Sequence, residues 1–190
     1  GVVTTFATGF NQPSGITTDG TNLYVSDTSN HLIKNIVIST GVVTTLAGSS
    51  SGYSDATSIN AKFDRPSGIT TDGTNLYVMD TNNKRIRKIV IDTGVVTTFT
   101  HFLTYTKVFP NGFFNGGLEP TGITTDGTNL YATDNEFQVV KIDSSGVVTR
   151  VASGSNTFYY PRGITTDGIN LYVSDGWNRI RKISRQSNSP

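Results

Sequence analysis

The chain of 190 residues contains no cysteine. Disulfides, thiolate metal sites and cysteine nucleophiles are therefore excluded. Charge is also sparse, at 15% of residues, against about 25% in an average globular protein. Disordered chains are normally rich in charge, so this composition argues for a folded one. The net charge is +1, which gives no global pull toward nucleic acid or acidic membranes. No apolar run approaches the ~18 residues of a membrane-spanning helix. The two histidines, His31 and His101, stand in dissimilar contexts, and neither a Ser-His-Asp nor a Cys-His arrangement is visible. There is no signal peptide and no starting Met, so a chain beginning at Gly1 reads as a processed product or an excised segment.

What is present is repetition. Gly15–Asp27 reads GITTDGTNLYVSD, and close copies begin at Gly68, Gly122 and Gly163, at spacings of 53, 54 and 41 residues. A second phrase, GVVTT or a near copy, begins at Gly1, Gly41, Gly94 and Gly146. A third, rich in Ile and Val, lies between them at His31, Lys84, Phe137 and Arg179. Each unit thus holds four short runs dominated by β-branched and aromatic residues, with no competing helical period. Asp-Gly-Thr-Asn between the first two runs is a hairpin turn, because Gly and Asn tolerate positive φ. Tandem four-stranded antiparallel meanders with periods of ~40–50 residues predict an all-β fold, a β-propeller. The repeated glycines open the first, innermost strand, where blades crowd together. The threonine pairs that follow offer one hydroxyl each to a narrow polar channel, or serve strand propensity and local hydrogen bonding.

The repeat resembles the NHL-repeat family of propellers. The matching signature is Pro-x-Gly-Ile, Asp-Gly, Asn-Leu-Tyr-Val-x-Asp, Asn-x-x-Ile-x-Lys and Gly-Val-Val-Thr-Thr, best seen from Pro66 through Asp80 and Lys88 to Gly94. Asn135-Glu136-Phe137-Gln138 departs from it most. The resemblance covers nearly the whole chain and implies a propeller fold. Such propellers serve as scaffolds, RNA binders and occasional lyases, so the resemblance does not select a function.

Residues 1–190 are expected to form one propeller domain of four four-stranded blades, at about 13–48, 66–101, 120–153 and 161–183. The last unit lacks a fourth strand, and residues 1–8 carry the missing phrase, so the N-terminal strand is expected to close the last blade. The family usually has about six blades, and the alternatives are a two-chain ring of eight or strand donation into a polymer.

The repeated aspartates divide into Asp19, Asp72, Asp126 and Asp167 in hairpin turns, and Asp27, Asp80, Asp134 and Asp175 at strand ends. They are expected to be turn formers and partners of Arg85, Arg87, Arg179 and Arg181, rather than an acidic ring for a cation. A residue that recurs in every blade is needed by every blade, and binding sites are sought where repeats differ. The basic residues on third strands alternate in direction and are nearly balanced by acids, which weakens an RNA-binding reading. Phe10, Phe63 and Phe158 each precede the repeated Pro by three residues and should plug the joints between blades. Phe102, Tyr105, Phe109, Phe113 and Tyr159 have no such counterparts, and the first four lie in a Gly- and Asn-rich connection from Thr100 to Glu119. These five form the candidate interaction surface, for a protein or glycan or for self-association. The sequence-level reading is a non-catalytic scaffold or binding module of microbial origin, extracellular or at the cell surface, without cofactor or metal. The alternative classes are a propeller-face lyase or hydrolase, an RNA-binding scaffold, and a cytoplasmic location.

Overall fold

A computed structural model describes residues 1–101, 107–109, 112–114, 120–134, 137–153 and 157–185. The chain divides into two compact units, Gly1–Phe99 and Thr100–Pro190. The first carries one sheet of β1 (Pro13–Thr18), β2 (Asn22–Asp27), β3 (Leu32–Val37) and β4 (Val43–Ala47). A second sheet joins β5 (Pro66–Thr71), β6 (Asn75–Asp80), β7 (Arg85–Val90) and β8 (Val96–His101), whose end crosses the unit boundary. The second unit opens with a hairpin of β9 (Lys107–Phe109) and β10 (Gly112–Phe114). A four-stranded sheet of β11 (Pro120–Thr125), β12 (Leu130–Asp134), β13 (Gln138–Ile142) and β14 (Val148–Ser153) follows. The last sheet, among the described residues, has three strands: β15 (Ile164–Thr166), β16 (Asn170–Asp175) and β17 (Arg179–Ser184). The four blade sheets are up-and-down meanders, as the repeated runs predict.

Alternation along these strands makes the cores. In the first unit Tyr24, Ile33 and Ala47 of one sheet pack with Ile69, Leu76, Val78 and Ile89 of the next, and Phe63 fills the space between them. In the second, Tyr131 and Val139 meet Leu171 and Val173 around Phe158. Each fully buried side chain of this size contributes about 1.5–3 kcal/mol. The expected plugs Phe63 and Phe158 are buried; Phe10 is half-buried on the first sheet. Close approach explains two of the repeated glycines. A Cβ on Gly15 would sit 2.2 Å from the Ser67 carbonyl oxygen, and one on Gly122 would sit 2.1 Å from that of Arg162.

The Asp-Gly turns form by local chemistry. Asp19 Oδ1 accepts from the N–H of Thr21 (2.8 Å) and of Asn22 (2.7 Å), and Gly20 sits at φ 90°. The same bonds recur at Asp72, Asp126 and Asp167. The second threonine of each pair closes the turn as well: Thr18, Thr71, Thr125 and Thr166 each donate to the carbonyl oxygen of the following Asn. Their hydroxyls serve the local hydrogen bonding.

Two expectations are corrected. The N-terminal phrase forms no strand: Gly1–Phe10 is irregular, with Val2 and Val3 exposed, and among the described residues the last sheet has three strands. The physical reason is that β-propensity makes a strand only against an available edge. Here Phe6 and Phe10 instead line an apolar groove with Ile16, Leu23, Val25 and Ile36 of the first sheet. The second correction concerns the connection from Thr100 to Glu119, which is not simply a loop. Two triplets rich in Val and Phe pair in it as β9 and β10, with Phe113 opposite Val108. Among the described residues, no helix is long and apolar enough to cross a membrane.

Candidate interaction surface

The aspartates at strand ends hold the blades together. Each is buried, and in three blades each accepts a backbone N–H from the segment that leads into its own blade: Asn11 to Asp27 (2.7 Å), Asp64 to Asp80 (2.7 Å) and Tyr159 to Asp175 (3.0 Å). Asp80 and Asp175 also take the expected arginines. Arg87 is wholly buried and reaches Asp80 (2.8 Å) and Asp55 (2.5 Å), with two further bonds to the carbonyls of Lys62 and Ser54. Burial pushes the Asp80 carboxyl up, against hydrogen bonds from Asp64 N–H, Asn83 and Arg87. Asp175 pairs with Arg179 (3.1 Å) and Arg181 (3.3 Å). Burial opposes its charge too, but the N–H groups of Trp177 and Tyr159 and the Arg179 guanidinium outweigh it and lower its pKa.

Those bonds to Asp175 have a further consequence. They draw the segment before β15 and the turn between β16 and β17 to one point, with Tyr159 N–H at 3.0 Å and Trp177 N–H at 3.2 Å. Gly176 makes the approach possible: its N–H donates to the Tyr159 carbonyl at 2.7 Å, and a Cβ there would meet the same oxygen at 2.7 Å. The side chains of Tyr159 and Trp177 then stack, 5.2 Å apart and 6° from parallel. Phe137, from the turn between β12 and β13, also stacks with Tyr159, at 6.1 Å. Tyr160 stands edge-on to both Phe137 (5.7 Å) and Tyr159 (4.7 Å). The Arg179 guanidinium lies 4.3 Å over the Trp177 ring. Tyr159, Tyr160 and Trp177 all remain exposed, and Phe137 is half-buried.

Two of these aromatics occupy left-handed backbone, Phe137 at φ 66° and Tyr160 at φ 47°. Gly and Asn adopt that conformation most readily, and a bulky side chain there is strained by about 1 kcal/mol or more. The turn geometry therefore does not select an aromatic at either place.

Of the sequence candidates, Tyr159 lies inside this cluster. Phe109 and Phe113 lie on the paired strands β9 and β10. Phe102 and Tyr105 lie outside the described residues. Sequence reasoning passes over Tyr160 and Trp177 and treats Phe137 only as a break in the repeat. The available signal was that each replaces a non-aromatic residue at its aligned position. Among the described residues, no group of three or more His, Asp or Glu side chains is placed to hold a metal ion.

The stacked antiparallel blades define the class of protein, a β-propeller. A chain of a nidogen/laminin complex structure matches it with a TM-score of 0.63 at 19% identity, over 92% of this chain and 65% of that one. A streptogramin B lyase structure matches with a TM-score of 0.60 at 15% identity, over 93% of this chain and 55% of that one. At these identities the likeness is one of fold. No family model matches the chain. By sequence it is similar to NHL repeat-containing protein 2 of Gallus gallus, 34% identical over 88 residues, which is 45% of this chain and 12% of that protein. The chain thus spans about an eighth of that relative's length, and repeat similarity and fold together are consistent with the NHL-repeat family.

Proposed function

We propose that this chain is a non-catalytic β-propeller interaction module and that it engages a protein through Phe137, Tyr159, Tyr160 and Trp177. One observation carries the reading: four aromatic side chains from three separate segments converge on one surface, two of them in backbone that disfavours them. Trp, Tyr and Arg are the residues that dominate the energetics of protein interfaces. A glycan fits less well. Sugars stack on open aromatic faces, and here Tyr159 already stacks with Phe137 and with Trp177 while Arg179 lies over Trp177. The surface therefore offers ring edges, two phenols and an indole, which suit the mixed side chains of a protein. The nidogen/laminin complex is a propeller neighbour known with a protein partner.

The test is a binding assay on the immobilised chain. A protein retained by the native chain should be lost, by about 2 kcal/mol or more in affinity, on Tyr159→Ala with Trp177→Ala. The far-UV spectrum should be kept, and the exposed-turn change Asp167→Asn should leave binding intact. A glycan retained by the native chain and lost by the double variant would overturn the protein reading.

A further inference from the structure

The second unit holds a cleft of about 660 Å³ beside the Asp-Gly turns of its two blades. Asp126, Asn129, Lys141 and Val151 line it from one blade, and Ile169 and Arg185 from the other. The corresponding space in the first unit is filled. There Leu46, Ala56 and Ile91 pack against the core that holds Tyr24. The segment carrying Ala56 is pinned by the Val96 N–H on the Ala56 carbonyl (2.9 Å) and by its own Ser58 N–H on the Gly94 carbonyl (2.8 Å). That segment belongs to a spacing of 53 residues between Gly15 and Gly68, whereas Gly122 and Gly163 stand 41 apart and leave a shorter connection. Ile91 is replaced as well, because its aligned position holds Arg185.

Arg185 rearranges the turn beside it. In the other three turns the Asn side chain donates to the aspartate: Asn22 to Asp19 (3.3 Å), Asn75 to Asp72 (3.1 Å) and Asn170 to Asp167 (3.0 Å). At Asp126 the Arg185 guanidinium and the Tyr131 hydroxyl take the same Oδ2. The guanidinium also donates to the carbonyls of Gly168 and Ile169. Among the described residues the Asn129 carboxamide is then left with no hydrogen-bond partner. Lys141 stands opposite Tyr131 on the paired strand. It makes no hydrogen bond or ion pair among the described residues, and its charge is felt at Asp143, outside the lining. The apolar part of the cleft also breaks the repeat. Ile169 is 69% exposed, where the other three turns carry Thr21, Thr74 and Thr128.

We propose that this cleft binds a small organic monocarboxylate with an apolar body. The Asn129 amide and the Lys141 ammonium are donors that call for an acceptor. Asp126, Lys141 and Arg185 together carry one positive charge. A carboxylate matches that charge, whereas a dianionic phosphate would keep one charge uncompensated. Val151 and Ile169 receive the apolar body, and the volume lies within the roughly 300–1,000 Å³ of small-molecule sites.

The test titrates the 15N-labelled chain with 4-phenylbutanoate, 4-phenylbutylamine and 4-phenylbutyl phosphate, which share one apolar body and differ in head group. The carboxylate should bind with a dissociation constant of about 1 mM or below. Its amide shifts should centre on Asn129, Lys141, Val151, Gly168 and Ile169. The amine and the phosphate should each bind more weakly. Lys141→Met should weaken the carboxylate about tenfold and Asn129→Ala about threefold, while Lys182→Met, outside the lining, should change nothing. Shift mapping on the native chain decides the matter even if a variant folds poorly. No binding of the carboxylate at millimolar concentration overturns the proposal. So does an amine or phosphate that binds as tightly, or a set of shifts centred on the groove of Phe6, Phe10 and Ile16 instead.

Discussion

The same joint between neighbouring blades is built twice, with opposite surfaces. In the first unit, His31 from the β2–β3 turn meets Asp64 and Arg65 from the segment before β5. The Arg65 N–H donates to His31 Nδ1 at 3.1 Å, and Asp64 Oδ1 lies 3.5 Å from the same nitrogen. In the second unit the corresponding residues are Phe137, Tyr159 and Tyr160. The supporting framework is shared. His31 and Phe137 are both left-handed, as are Arg65 and Tyr160, and a buried strand-end aspartate anchors the connecting segment in each unit. The backbone is thus a constant platform, and the tips that it displays are free to change chemistry. This division argues that function resides in the departures from the repeat and stability in the repeat itself.

The largest expected effect breaks the comparison between buried and exposed versions of one arginine. Arg87 is wholly buried between Asp80 and Asp55, whereas its counterpart Arg181 is partly exposed beside Asp175. Arg87→Met would leave the Asp80 carboxylate buried without its cation and should cost about 3–5 kcal/mol. Arg181→Met leaves Asp175 paired with Arg179, and should cost about 1 kcal/mol or less. Equilibrium denaturation of both variants checks this, and equal losses would mean that the two pairs do the same work despite their burial.

The glycines give the next effect. Valine at Gly15 or Gly122 must displace a carbonyl of the adjacent blade, which a packed joint resists. A loss of about 1–3 kcal/mol or more is expected for each. Among the described residues, Gly163→Val meets only a side-chain hydroxyl at 3.2 Å and should be milder. Thermal melts would show it. A Gly163 variant as damaged as the other two would mean that its sheet is more tightly covered than the observed contacts indicate.

What the sequence disclosed follows the range of the interactions involved. The Asp-Gly turns, the four strands of a blade and the close-approach glycines all depend on contacts within or between adjacent runs. Each therefore leaves its mark once per repeat. The aromatic cluster depends on three segments drawn together by Asp175 and Gly176, so Tyr159 was legible as an oddity while Trp177 was not legible as its neighbour. Residues 1–8 mislead for a related reason. The phrase Val-Val-Thr-Thr specifies what a strand can pair with, but not which edge is at hand. Arg87 was legible as an aspartate partner, but its second carboxylate, Asp55, comes from the irregular segment before β5 and carries no repeat signature.

The smallest effect concerns the Asp-Gly turns, which also differ between units. Burial opposes the charge of Asp19, but hydrogen bonds from Asn22 N–H, Thr21 N–H and the Tyr24 hydroxyl outweigh it. They hold its carboxyl at about 2, below the ordinary 3.8. Asp126 has the same set of partners and the Arg185 guanidinium in addition, and it is lowered as well. A carboxyl lowered by folding stabilises the folded state while it is ionised in both states. That contribution is full above the unfolded value of about 4 and disappears as pH falls toward the folded one. The Asp19 turn should therefore contribute fully at pH 5 and lose its contribution between about pH 4 and pH 2. Asp19→Asn removes the charge but keeps an acceptor oxygen. It should lower the melting temperature slightly at pH 5, by the equivalent of less than about 1 kcal/mol for so exposed a group. The gap between native and variant chains should then close as the pH approaches 2. For Asp126→Asn the gap should persist to lower pH, because the added guanidinium keeps that carboxyl ionised longer. Parallel melting curves for the two variants from pH 5 to pH 2 would show that Arg185 does not distinguish the turns.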